Sequence, residues 1–144
     1  MARNVRFGSD MVVSEAMTSK PATVDAASSI RGVIHKLLEL DVRHLPIVHD
    51  GRLVGIVSDR DLRDVMSRLV AEGATDPDRI LRAPIADLMS ADVLTVDPET
   101  ELGDVADLMI EHRIGALPVV TPGTGDLVGI ISYVDVLRAT REAM

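Results

Sequence analysis

Leu53-Val-Gly-Ile-Val-Ser-Asp-Arg-Asp61 and Leu127-Val-Gly-Ile-Ile-Ser-Tyr-Val-Asp135 are two versions of one sentence, the second written further down the chain. Working back from each, Leu45-Pro-Ile-Val48 precedes the first and Leu117-Pro-Val-Val120 the second, at a slightly shorter offset. The difference in offset arises between them, where His49-Asp-Gly-Arg52 becomes the longer Thr121-Pro-Gly-Thr-Gly-Asp126. Insertions are tolerated in turns, so this alignment behaves physically. Further back, Met17-Thr-Ser-Lys-Pro-Ala-Thr-Val-Asp25 matches Met89-Ser-Ala-Asp-Val-Leu-Thr-Val-Asp97, at the same offset as the Leu-Pro pair. The chain is a tandem repeat.

Between these anchors lies a helical pattern. Ile30, Val33, Ile34, Leu37 and Leu38 recur at helix-face spacing, as do Leu102, Val105, Ala106, Met109 and Ile110. Each repeat therefore predicts a short strand (Ala22–Val24; Leu94–Val96) and a helix (about Ser28–Leu40; Thr100–His112). A strand (Leu45–Val48; Leu117–Val120), a Gly-containing turn, a strand (Leu53–Ser58; Leu127–Ser132) and a second helix from near Asp59 or Tyr133 follow. Val13–Met17 and Ile85–Met89 read as short lead-in helices. The expected organisation is an N-terminal segment at 1–12, repeat one at 13–72, a linker at 73–84 and repeat two at 85–144. A unit of about 55–60 residues is marginal alone. Two units packed about a pseudo-two-fold axis share a core and create two related clefts, where ligand sites are favoured.

Composition narrows the function. The 144 residues are 47% hydrophobic, enough for a core, yet Phe7 and Tyr133 are the only aromatics. Base-stacking platforms are nearly absent, and a net charge of -8 disfavours a polyanion-binding face, so nucleic acid is not an expected partner. There is no cysteine, which removes disulfides, thiolate metal sites and thiol nucleophiles. No apolar run suits a signal peptide or a membrane span, so a cytoplasmic protein without a membrane partner is expected. The four histidines lack metal-ligand spacing. No nucleophile–base pair or paired-carboxylate arrangement is identifiable, so no catalytic residue is assigned and an enzyme is not expected.

The twice-repeated order of strand, helix, Leu-Pro strand, turn and Gly-hydrophobic-hydrophobic-Ser-x-x-Asp closely resembles a cystathionine-β-synthase (CBS) domain pair, also called a Bateman module. The resemblance runs from about Val13 to Arg138. It implies an α+β fold of tandem repeats, each β-α-β-β-α, with a sandwich-like α/β arrangement and pseudo-two-fold packing. It also implies regulatory binding of adenosyl ligands: chiefly AMP, ADP or ATP, with S-adenosylmethionine and other nucleotides as variants. In such modules the final Asp holds the ribose hydroxyls and the Ser meets phosphate or ribose. Carried over, these positions are Ser58, Asp61, Ser132 and Asp135. The adenine-wall positions are Lys20, Pro21, Ala22, Arg43, His44 and Pro46 in repeat one, and Asp92, Val93, Leu94, Gly115, Ala116 and Pro118 in repeat two. A homodimer through pair packing is implied as well.

The residue chemistry agrees with that implication without requiring it. A carboxylate accepts hydrogen bonds from two hydroxyls at once. A strand-to-helix junction offers amide N–H groups and the positive end of a helix dipole to a phosphate. Ser-x-x-Asp is equally a helix cap, with the Ser capping and the Asp completing a box. The copies are unequal around this element. Arg60 corresponds to Val134, Arg43 and His44 to Gly115 and Ala116, and Lys20 to Asp92, so repeat one is richer in cations. Those cations serve phosphate binding or are solvated surface. Leu62, Val65, Met66 and Leu69 face either a partner copy or the chain's own core.

Two functions of different class follow. One is an adenine-nucleotide sensor acting on a partner protein or through its own dimer. It requires no cofactor, and Mg²⁺ enters only as a bridge between nucleotide phosphates. The other is a structural dimerisation or adaptor module that binds no nucleotide.

Overall fold

The two hairpins form where alternation and turn residues place them. A computed structural model of the chain describes residues 11–73, 76–89 and 92–143. Most of the N-terminal segment, including Phe7, the linker residues 74–75, residues 90–91 and the last residue lie outside the described residues. In repeat one, β3 (His44–His49) and β4 (Arg52–Ser58) pair antiparallel, and β2 (Val24–Asp25) adds to β3 in parallel. The turn at Asp50-Gly51 has positive φ at both residues (51° and 77°), the pairing that suits a two-residue hairpin. In repeat two, β5 (Ala116–Val120) and β6 (Leu127–Ser132) form the matching hairpin with a longer turn. Both hairpins carry one register shift, at Ile47/Val48 and Val119/Val120.

The helices follow their apolar stripes. Helix α2 (Ile30–Leu40) buries Ile30, Val33 and Leu37, and α5 (Leu102–His112) buries Leu102, Val105 and Met109. Each begins slightly later than its pattern alone suggests, because the residues ahead make a turn instead. The Asp25 carboxylate accepts from the Ala27 amide, and Asp97 likewise from Glu99. Ser29 then caps α2 by accepting from Gly32 N (3.0 Å), whereas Glu101 gives α5 no side-chain cap. Both helices end on a left-handed non-glycine residue, Asp41 (φ 53°) and Arg113 (φ 54°). Helices α3 (Asp59–Ala71) and α6 (Tyr133–Ala143) leave directly from β4 and β6. The linker contains a short helix, α4 (Pro77–Leu81), capped by Asp76.

The first strand of each repeat is shorter than its sequence suggests. In repeat one it is displaced to Val24–Asp25, and in repeat two only a bridge between Val96 and Val119 remains. Pro21 has no N–H to give a ladder, and Asp97 turns the chain at once.

The lead-in segments do not stay with their own repeats. One compact unit joins the chain up to Pro21 to the chain from Leu94 onward, and the other runs from Ala22 to Val93. Helix α1 (Val13–Ala16) places Val13 in the core of repeat two, with Val105, Leu117 and Ile131. Its backbone is tied there too: Val13 N donates to Thr100 O (2.8 Å) and Leu102 N to Met11 O (3.1 Å). Strand β1 (Thr18–Ser19) then pairs antiparallel with β6. In the other unit, the single 3₁₀ turn at Ile85–Asp87 puts Ile85 among Val33, Leu45 and Val57. Ile85 N donates to Ser28 O (2.7 Å) and Ile30 N to Ala83 O (2.9 Å), the same pattern at the equivalent positions. Each unit is thus a three-stranded sheet with helices, built from one repeat and a lead-in: β2-β3-β4 in one and β1-β6-β5 in the other. The fold is α+β.

The strand glycines explain the lead-in methionines. A Cβ at Gly55 would lie 2.9 Å from Met89 Sδ, and one at Gly129 would lie 2.5 Å from Met17 Sδ. At Gly129 the Thr18 carbonyl stands at 3.0 Å as well, so only a residue without a side chain admits the sulfur there without the backbone shifting.

Candidate functional site

Each hairpin ends in the same junction. Asp59 N donates to Arg43 O and Tyr133 N to Gly115 O, both at 2.9 Å, which fixes the first helical residue against the neighbouring strand. In repeat one, Ser58 Oγ accepts from Asp61 N (3.1 Å) and Asp61 Oδ2 accepts from Ser58 N (3.0 Å), a reciprocal capping box. In repeat two, Asp135 Oδ2 accepts from Ser132 N (2.9 Å), and Ser132 Oγ accepts from Asp135 N (3.3 Å). Such a cap stabilises a helix by about 1 kcal/mol. The capping role of both elements is therefore realised. It also uses amides that were expected to meet a phosphate, because two of the first three in each helix are already bonded.

The two junctions differ beyond the cap. Asp61 is exposed, whereas Asp135 is 8% exposed. Asp135 Oδ2 takes a second bond, from the Ser132 hydroxyl (3.1 Å), and Oδ1 pairs with Arg138 Nη1 (3.4 Å). Arg138 has no part in the sequence reading of the site. The signal that marks it is its place one helical turn after Asp135, the spacing of a helix-surface ion pair. Its counterpart in repeat one, three positions after Asp61, is Asp64.

On the facing strand, His44 stands opposite Ser58 and Ala116 opposite Ser132. His44 is half-buried. Burial pushes its imidazole below the ordinary 6.5, against an opposing pull from the Asp59 and Asp61 carboxylates and with a small push from Arg43. Arg43 and Arg60 are exposed. Arg63 reaches the Asp59 carboxylate at 3.9 Å, so it belongs to the helix surface.

The remaining wall positions divide between the units in an order the sequence did not suggest. Ala22, Arg43, His44, Pro46, Ser58, Arg60 and Asp61 lie in the unit that also holds Asp92 and Val93. Lys20 and Pro21 lie in the other unit, with Leu94, Gly115, Ala116, Pro118, Ser132 and Asp135. Lys20 is held there by its amide, which donates to Val128 O (3.3 Å), in a left-handed conformation (φ 49°). So the residues named for each repeat are not all carried by that repeat's own unit. Pro46 and Pro118 are buried in mid-strand, and Ala22, Asp92 and Leu94 are exposed. In repeat one, the Lys36 ammonium donates to the Thr23 carbonyl and fixes the approach to β2, where repeat two has Leu108.

Four other observations bear on function. Among the described residues, no group of three or more His, Asp or Glu is placed to hold a metal ion. No described helix is long and apolar enough to cross a membrane. On α3, Leu62 and Val65 face the chain's own core and Leu69 is half-buried, leaving Met66 and Val70 outward. On α6, Val134 and Leu137 are also exposed.

A family model described as "CBS domain" matches residues 13–68 and 85–142. The chain is 31% identical over 123 residues to the CBS domain-containing protein YhcV of Bacillus subtilis, covering 85% of this chain and 81% of that one. The crystal structure of CBSX2 in complex with AMP superposes with a TM-score of 0.77 at 30% identity, covering 91% of this chain and 96% of that one. The CBS domain pair of MJ0100, in complex with 5′-methylthioadenosine and S-adenosyl-L-methionine, gives 0.77 at 25% identity, covering 93% and 98%. Other relatives are longer, and the chain spans only 21–24% of the homoserine O-acetyltransferases it matches. With both repeats matched, a small relative aligned over most of its length and the fold shared with solved pairs, the chain belongs to the CBS domain family as a tandem pair.

Proposed function

We propose that the chain is a regulatory module that binds an adenine nucleotide (AMP, ADP or ATP) and passes the binding on to a partner protein or to its own homodimer. The observation that carries this reading is the Ser58–Asp61 junction. It holds an exposed carboxylate at the start of a 13-residue helix, with half-buried His44 opposite and the exposed cations Arg43 and Arg60 nearby. A carboxylate for ribose hydroxyls beside cations for phosphate is the chemistry of a nucleotide site. The AMP complex of CBSX2 and the S-adenosyl-L-methionine complex of MJ0100 support an adenosyl ligand. Ser58, Asp61, Arg43, His44 and Arg60 are the contacts assigned in repeat one, with exposed Ala22 as apolar wall; Pro46 is fully buried and is not among them.

The role is regulatory rather than catalytic, in the cytoplasm, and requires no resident cofactor. Mg²⁺ enters only between phosphates of a bound nucleotide. Regulation requires that the ligand bind two states of the module with different affinity, and the partner reads that difference. The outward Met66, Val70, Val134 and Leu137 supply apolar surface for a homodimer.

Thermal unfolding with AMP, ADP, ATP, NAD, S-adenosylmethionine and GTP at millimolar concentration tests the reading. A native-state ligand at about 100 times its Kd stabilises by about 2.7 kcal/mol, a rise of several degrees. No rise with any adenosyl ligand refutes it. The structural dimerisation or adaptor reading would then stand. That reading is favoured by one observation: Leu38 and Ile110, at equivalent positions of the two repeats, are both left exposed, at 74% and 77%.

A further inference from the structure

The repeats share Ser-x-x-Asp but not the state of its carboxylate. Asp61 is exposed, and among the described residues only the Ser58 amide donates to it, on Oδ2; Oδ1 has no donor. Asp135 is buried, its Oδ2 is taken by both the amide and the hydroxyl of Ser132, and its Oδ1 is taken by Arg138. A carboxylate recognises a pair of vicinal hydroxyls by accepting from both, which needs open lone pairs and a path to them. Asp61 has both, whereas Asp135 keeps one of about four acceptor sites and is buried.

One residue accounts for much of the difference. Three positions after the Asp, repeat two has Arg138 and repeat one has Asp64. On a helix that spacing puts the two side chains side by side. Arg138 supplies an internal guanidinium that occupies the oxygen a ribose would need, and Asp64 leaves Asp61 without such a competitor. We propose that Arg138 closes the carboxylate of repeat two, so that the chain binds one adenosyl ligand, at Asp61, and that the residue at positions 64 and 138 selects which repeat is open. This rests on the nucleotide-binding reading above and adds its stoichiometry and its selector.

The strength of the pair sets the size of the effect. Arg138 lies at 3.4 Å with its side chain half in water, so the pair alone is modest. Burial and the two hydrogen bonds accepted by Oδ2 add to it. Opening repeat two by changing Arg138 alone should therefore yield a second, weaker site, not an equal one.

Calorimetric titration of the full chain with AMP, or with the strongest ligand of the thermal panel, reads this directly. The expected result is one equivalent per chain, lost in Asp61→Asn and weakened about tenfold in Asp64→Arg. Arg138→Asp should gain a second, weaker equivalent. Two equivalents in the wild type, full binding in Asp61→Asn, or no effect of Asp64→Arg would overturn the proposal. A ligand-free measurement separates its failure from that of the nucleotide reading. Arg138→Leu and Asp135→Asn should each lower Tm, and together by less than the sum, because they break one pair. Asp61→Asn should lower Tm less than Asp135→Asn. If no ligand binds the wild type, the nucleotide reading fails, and with it the one-site stoichiometry. Additive Tm losses, or equal losses for the two aspartates, refute the closed state of Asp135 whichever ligand binds.

Discussion

Ser58–Asp61 and Ser132–Asp135 have the same residues at the same spacing and the same cap, yet one carboxylate is open and the other is enclosed. Part of the difference lies within the motif, where the Ser132 hydroxyl also donates to Asp135 Oδ2, and part outside it, in Arg138 against Asp64 on the helix. A short motif fixes local hydrogen bonding because its partners are close in sequence. Its neighbours decide how much acceptor capacity remains for anything else.

The comparison can be broken most severely at the strand glycines. At Gly129 a Cβ would meet Met17 Sδ at 2.5 Å and the Thr18 carbonyl at 3.0 Å, and backbone cannot step aside. At Gly55 the atoms within 3.4 Å all belong to the flexible Met89 side chain. Gly129→Ala should cost about 2–3 kcal/mol in urea unfolding and Gly55→Ala about 1 kcal/mol. Equal losses would show that the lead-ins pack alike. The capping acids come next. Asp135→Ala removes bonds to two Ser132 groups and to Arg138 from a buried position and should cost about 1–2 kcal/mol. Asp61→Ala removes one exposed bond and should cost about 0.5 kcal/mol.

A smaller test concerns positions where the copies agree. Asp41 and Arg113 both end their helices in the left-handed region, which disfavours a β-carbon. Asp41→Gly and Arg113→Gly should each add up to about 1 kcal/mol, by similar amounts, in the same assay. The smallest effect is the pH dependence that His44 gives to repeat one. Its folded value lies below 6.5, so the unfolded chain takes up the proton first as pH falls. The stability from neutral His44 is complete above about pH 6.5 and is lost as pH falls from there through the folded value. In His44→Ala that component of the decline should disappear from unfolding midpoints measured between about pH 7.5 and 5.

Much of the architecture is legible in the repeat. The hairpins, the main helices and the strand-to-helix junctions follow from apolar period, Gly turns and caps, all local properties. The first strands mislead in extent: Val24 does enter β2 and Val96 makes a bridge, but the residues ahead of them do not join the sheet, and Asp25 and Asp97 start turns that limit how far each can run. The Ser and Asp positions are legible as a motif. The Arg138 pairing is not, because nothing in a linear pattern says that a carboxylate will be buried.

Local pattern alone establishes two copies of one unit, the main helices and both hairpins, and an aliphatic core; the linker helix α4 it does not show. Which lead-in completes which copy is settled by packing. Val13 and Ile85 are equivalent in sequence, yet Val13 packs into the core holding repeat two and Ile85 into the core holding repeat one. Two similar grooves compete for two similar segments, and chain connectivity and packing choose between them. The same holds for the two aspartates. Spacing gives both a cap, but burial and the charge one helical turn away leave one carboxylate exposed and the other enclosed.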